Sequence, residues 1–79
     1  VPTARVARQE HQAADLFQAV GLSPSRSAAR RTIAEGGAYV NNVKVTGQDD
    51  VVDPGTALYG RWLVLRRGRR NLAVAVLAD

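Results

Sequence analysis

The strongest constraint in this chain is a change of hydrophobic period at a glycine pair. Up to Gly36-Gly37 the apolar residues recur at helical spacing; beyond it they fall in short β-prone runs. Ala13, Leu16, Phe17 and Val20 stand at i, i+3, i+4 and i+7, which is one apolar face of a helix expected to begin near Glu10. Gly21 supplies a left-handed stop, and Leu22 is placed to fold back on the last turn. Ser25 is then the natural N-cap of a second helix, with Pro24 holding the chain extended ahead of it. That helix should run from Arg26 to about Glu35 and end at the glycine pair. On it Ala29 and Ile33 point one way, Arg30 and Arg31 occupy another arc, and Arg26 lies one turn below Arg30. One side packs and the flank is cationic.

After the glycines, AYVNNVKVT is two short strands around Asn41-Asn42, a pair that tolerates the positive φ of a tight hairpin turn. Residues 47–60 are loop-like, with Asp53-Pro54-Gly55 as a turn. The last segment is predicted as a second hairpin. With Gly68-Arg69 as a two-residue turn, Arg67 pairs with Arg70, Leu65 with Leu72 and Leu63 with Val74. The opposite face then receives Val64 with Ala73 and Trp62 with Ala75. Helices followed by strands define an α+β class: two short helices packed on a small, mostly antiparallel sheet. Residues 1–9 show no sustained period and are expected as a linker or N-terminal arm, with the domain proper over residues 10–79.

A chain of 79 residues holds one domain with a thin core and leaves no second layer behind a deep cleft. It contains no cysteine, which excludes disulfides, thiolate metal sites and cysteine nucleophiles and fits a reducing cytoplasm. No apolar run approaches the ~18–20 residues that span a bilayer, and there is no signal-peptide core, so no membrane partner is expected. The chain starts at Val1 and contains no methionine, which is the expectation for a piece of a longer protein.

Charge is segregated. The net charge is +4, and ten of the eleven basic residues are arginine. Residues 1–21 are neutral in sum, residues 22–46 carry +3, residues 47–60 carry −3 and residues 61–79 carry +4. Two basic blocks separated by an acidic stretch point to a patch aimed at a polyanion. Arginine suits that task, because its planar fork bonds phosphate and stacks on bases.

No catalytic constellation assembles. His11 is the only histidine and has no thiolate partner. Asp49, Asp50 and Asp53 lack the spacing of a calcium loop and read as a solvated acidic turn. Gly36-Gly37 ends a helix rather than opening one, so it is no phosphate cradle. Neither a metal nor a cofactor is expected on this chain. RNA-binding chemistry is better represented. Ser25, Arg26, Ser27, Arg30 and Arg31 gather on the second helix, and Lys44, Arg66, Arg67, Arg69 and Arg70 extend the patch along the hairpins. The first expected contacts are Arg26, Arg30 and Arg31, followed by Lys44, Arg69 and Arg70. Tyr39, Tyr59 and Trp62 offer stacking platforms, although packing is the commoner role for aromatics in a thin core.

The run GLSPSRSAARRTIAEGGAYVNNVKV, residues 21–45, resembles the RNA-binding module named after the fourth protein of the small ribosomal subunit, the S-four domain. The matching elements are Ser25-Arg26-Ser27, Ala29-Arg30-Arg31, Ile33, Gly36-Gly37 and Tyr39-Val40-Asn41. The tail selects a branch. Tyr59-Gly60-Arg61-Trp62 and Leu65-Arg66-Arg67-Gly68-Arg69-Arg70-Asn71 are similar to the end of bacterial tyrosyl-tRNA synthetases, and GGAYVNNVKVT to the actinobacterial version. Asn42 stands where a turn glycine is commoner, and Leu72 where an aromatic is more usual.

This resemblance implies an S-four-like fold that grips tyrosine tRNA around its long variable arm and anticodon stem. The adenylation motifs of such enzymes, His-x-Gly-His and Lys-Met-Ser-Lys-Ser, are absent. ATP and Mg²⁺ would therefore be used by a catalytic part outside this chain. The resemblance also implies a homodimeric parent in the cytoplasm and a monomeric isolated domain. Three alternatives stand beside this reading. They are an S-four-type domain acting on ribosomal RNA, as in pseudouridine synthases, a helix-turn-helix DNA binder, and a protein-interaction module.

Overall fold

The computed structural model describes residues 2–78. Its elements are β1 (Thr3–Val6), β2 (His11–Gln12), α1 (Ala13–Ala19), α2 (Arg26–Ala34), β3 (Ala38–Val40), β4 (Val43–Lys44), β5 (Val51–Val52), a 3₁₀ turn (Pro54–Thr56), β6 (Trp62–Arg67) and β7 (Asn71–Leu77). A five-stranded sheet has the order β1-β7-β6-β3-β4, antiparallel except for the β1–β7 pair. Both helices lie on one face of it. The fold is the expected α+β arrangement of two helices on a mostly antiparallel sheet.

The helix ends form as local chemistry dictates. Gly21 has φ +82° and Gly36 has φ +79°, the left-handed region where a β-carbon is strained. At the first, Leu22 N–H donates to Phe17 O at 3.0 Å and Gly21 N–H to Gln18 O at 3.1 Å. At the second, Gly37 N–H donates to Thr32 O and Gly36 N–H to Ile33 O, both at 3.0 Å. These paired bonds satisfy carbonyls that have no partner within the helix. Ser25 caps α2, its hydroxyl accepting from Ala28 N–H at 3.1 Å. Helix α1 opens at Ala13 rather than near Glu10, because His11 and Gln12 pair in extended form with Val52 and Val51.

The core is one cluster. Leu16 and Phe17 of α1, Ala29 and Ile33 of α2, and Leu63, Leu65, Ala73, Ala75 and Leu77 of the sheet are buried together. Asn41 and Asn42 both adopt positive φ, as the first hairpin requires, and the Asn41 side chain accepts from Val64 N–H at 2.8 Å.

The second hairpin forms in a different register from the one predicted. Arg67 faces Asn71, Leu65 faces Ala73 and Leu63 faces Ala75, which leaves a three-residue loop of Gly68, Arg69 and Arg70. A shift of one residue sends every side chain of β7 to the other face. Ala73, Ala75 and Leu77 therefore turn toward the helices, while Leu72, Val74 and Val76 turn away. Two influences favour this register. Leu77 becomes buried, and small alanines stand opposite Leu63 and Leu65 within the buried cluster that holds Phe17 and Leu16. The Gly68 amide is also committed elsewhere, donating to Gly37 O at 2.7 Å.

Residues 3–6, expected as part of a linker or arm, are the edge strand of the sheet. They run parallel to β7 with Ala4 and Val6 packed on the core. The strand is four residues long and its partner lies at the far end of the chain, so no local period announces it.

Candidate nucleic-acid interface

The sequence-predicted cations divide into two groups. Arg26 and Arg30 are tied to acids on the helix face. Arg26 bonds the Gln12 side chain and pairs with Asp15 at 3.1 Å. Arg30 pairs with Asp49 at 2.5 Å and reaches Gln48 as well. The acidic stretch reaches Arg30 by folding back: Ala13 N–H donates to Asp50 O at 3.0 Å, and β5 pairs with β2, which leads into α1. Within that stretch Asp50 accepts from Gly47 N–H at 2.9 Å and Asp53 from Gly55 N–H at 2.8 Å, so both carboxylates organise turns. Ser25 and Ser27 are exposed at the start of α2.

The other cations meet at the opposite end of α2. The bond from Gly68 to Gly37 places the β6–β7 loop against the helix stop, where Arg31 is the basic residue of the last turn. Lys44 joins them, since a β-carbon on Gly36 would lie 3.0 Å from its Nζ. Arg69 and Arg70 are exposed in the loop, and Arg67 sits half-buried at its base. Arg67 and Arg70 also border a groove with Pro2, Gly21 and Leu22. Arg66, opposite Tyr39 in the register, lays its guanidinium 4.2 Å from the Tyr39 ring centroid. Its Nε is buried with no hydrogen-bond partner among the described residues.

Arg31, Lys44, Arg66, Arg67, Arg69 and Arg70 make no ion pair among the described residues. One end of the molecule is thus a cluster of unneutralised cations, mostly forked guanidinium groups, that suits a phosphate backbone.

The histidine and the acidic turn hold structural positions. His11 is half-buried, with Nε2 2.8 Å from Ala7 O, a bond its ring N–H donates. Among the described residues no group of three or more His, Asp or Glu side chains is arranged to hold a metal ion, and no helix is long and apolar enough to cross a membrane.

Sequence reasoning missed Arg5 and Arg61, which share a groove with Thr3, Val76 and Leu77 at the far end of the sheet. Arg5 follows from the alternation of Thr3 and Arg5 with Ala4 and Val6, a signal legible only once strand β1 is known.

Comparison with known proteins agrees with this geometry. Residues 1–75 match the family described as the tyrosine–tRNA ligase SYY-like C-terminal domain. The tyrosine–tRNA ligase of Streptomyces coelicolor is 60% identical over 73 residues, covering 92% of this chain and 17% of that protein. Those of Streptomyces avermitilis and Mycobacterium leprae are 66% and 58% identical over 59 residues, 75% of this chain and 14% of each relative. The chain spans between about a seventh and a sixth of the length of these curated relatives. By the family match over nearly its whole length, the chain belongs to the tyrosine–tRNA ligase C-terminal domain family.

Proposed function

We propose that this chain is the tRNA-gripping domain of a tyrosine–tRNA ligase, holding tyrosine tRNA around its variable arm and anticodon stem. The observation that carries this reading is the set of unneutralised cations Arg31, Lys44, Arg67, Arg69 and Arg70 where the α2 stop meets the β6–β7 loop, with Arg66 beside them on the sheet. Charge-assisted bonds from such a cluster grip the backbone of a folded RNA without reading bases, so the shape of the RNA does the selecting. Adenylation, with its ATP and Mg²⁺, belongs to the remainder of the longer enzyme. That enzyme works in the cytoplasm as a homodimer, with this domain monomeric when isolated.

The paired state of Arg26 and Arg30 shifts weight toward the loop. An Arg69→Ala/Arg70→Ala double variant should weaken tRNA binding and lower the salt slope by about one unit per lost phosphate contact or less. Arg30→Ala should change both by less, because Asp49 already holds that guanidinium. Filter binding across a salt series reads both quantities. An unchanged affinity and slope in the double variant would remove the loop from the interface.

A further inference from the structure

We infer that the sheet face turned away from the helices is a second RNA surface, one that stacks unpaired bases. This rests on the RNA-binding reading above and extends it from phosphates to bases. The register defines the face. Trp62, Val76 and Arg5 form one row across it, and Lys44, Tyr39, Arg66 and Leu72 form another. Between them Val64 and Val74 floor a shallow depression bordered by Leu58 and Trp62.

The distribution of aromatic residues is the first argument. The chain has one Phe, two Tyr and one Trp. The Phe fills the core, whereas Tyr39, Tyr59 and Trp62 all lie on this face or its rim. Trp62 is 40% exposed and Tyr59 is 90% exposed, although a thin core has every use for large rings. Tyr59 is also held there against its backbone preference. Its φ is +54°, a region that costs a non-glycine residue about 1 kcal/mol or more. The turn is fixed by Leu58 and Trp62, which exchange backbone hydrogen bonds, and by Arg8, whose Nη1 donates to Gly60 O at 2.6 Å. The Tyr59 ring then meets Trp62 edge-on, with centroids 5.7 Å apart.

Charge decides the occupant. The strands of the five-stranded sheet contain no acidic residue, and the outward rows carry Arg5 and Arg66, with Lys44 at the edge, its amine reaching over Gly36. A nucleic-acid strand uses both parts of such a face, rings for bases and cations for phosphates. Spacing fits as well. Arg66, whose guanidinium lies over the Tyr39 ring, and Trp62 are four residues apart on β6, or about 13 Å. That is room for the two or three bases that aromatic platforms on an open sheet stack.

Trp62 is the chain's single tryptophan, so its fluorescence reports on this face without a label. The experiment titrates the intact chain with a single-stranded oligoribonucleotide and with a fully paired RNA duplex, following Trp62 emission alongside the anisotropy of end-labelled RNA. The single strand should quench Trp62 and the duplex should not. Tyr59→Asn removes a ring while keeping a residue that tolerates positive φ. It should weaken single-strand binding about fivefold or more and leave duplex binding unchanged. Trp62→Leu, which keeps the site apolar, should do the same by anisotropy. If RNA binds but Trp62 emission and the Tyr59→Asn affinity do not move, the stacking face is wrong and the phosphate-gripping end stands. If no RNA binds by either readout, both readings fall. Self-association that shields Trp62 in the absence of RNA would make the face a protein interface and overturn the inference.

Discussion

Ser25 shows how much a single residue decides. Its extended backbone and its hydroxyl bond to Ala28 set where α2 begins, and hence where Arg31 ends. Ser25→Ala should lower stability by about 1 kcal/mol and Ser25→Asn by much less, read by urea denaturation. The cap was legible because it acts over three residues of chain. The Arg30–Asp49 pair was not, since the partners are 19 residues apart and only the folding-back of the acidic stretch brings them together. That pair is partly exposed, at 34% and 77% for the two side chains, so Arg30→Ala should cost at most about 1 kcal/mol in the same assay. The same locality explains the glycines at 21 and 36, which are readable as stops from their places in the pattern. The seating of Lys44 over Gly36 depends on strand pairing and is visible only in the fold.

Among the elements, α1, α2 and the Asn41-Asn42 hairpin follow from period and turn chemistry. The β6–β7 hairpin is the instructive case. Its existence was legible, but its register turned on whether the loop holds two residues or three. Both choices give each strand an apolar face, so alternation alone does not separate them. What separates them is tertiary: the Gly68 amide bonded to Gly37, and the helices calling for alanines beneath them. The observed register makes a sharp prediction. Ala73→Val, at a fully buried position, should destabilise by about 1–3 kcal/mol through overpacking. Leu72→Thr, at a position 43% exposed, should cost well under about 1 kcal/mol. Denaturant midpoints of the two variants in the reverse order would restore the two-residue turn. Strand β1 lay beyond reach for a related reason, because its pairing joins the two ends of the chain.

At the scale of the whole molecule, the acidic segment of the sequence does not simply separate two basic blocks. It folds back beside the helices and neutralises Arg30 through Asp49, while Asp15 of α1 pairs with Arg26, leaving the positive field at the α2 stop, the β6–β7 loop and the open sheet face. Charge segregation was therefore readable from composition, but its sorting into occupied and available cations was not. Family membership agrees with that surface, since the matched relatives are tyrosine–tRNA ligases. The most direct test is competition binding at two salt concentrations, using intact tyrosine tRNA, the same tRNA with a shortened variable arm, a ribosomal RNA hairpin and a DNA duplex. Tightest binding to the intact tRNA, a steep loss with salt, and a weaker complex when the arm is shortened are the expected results. Equal affinity for all four would contradict the tRNA-gripping role, leaving a basic surface without selection for tRNA.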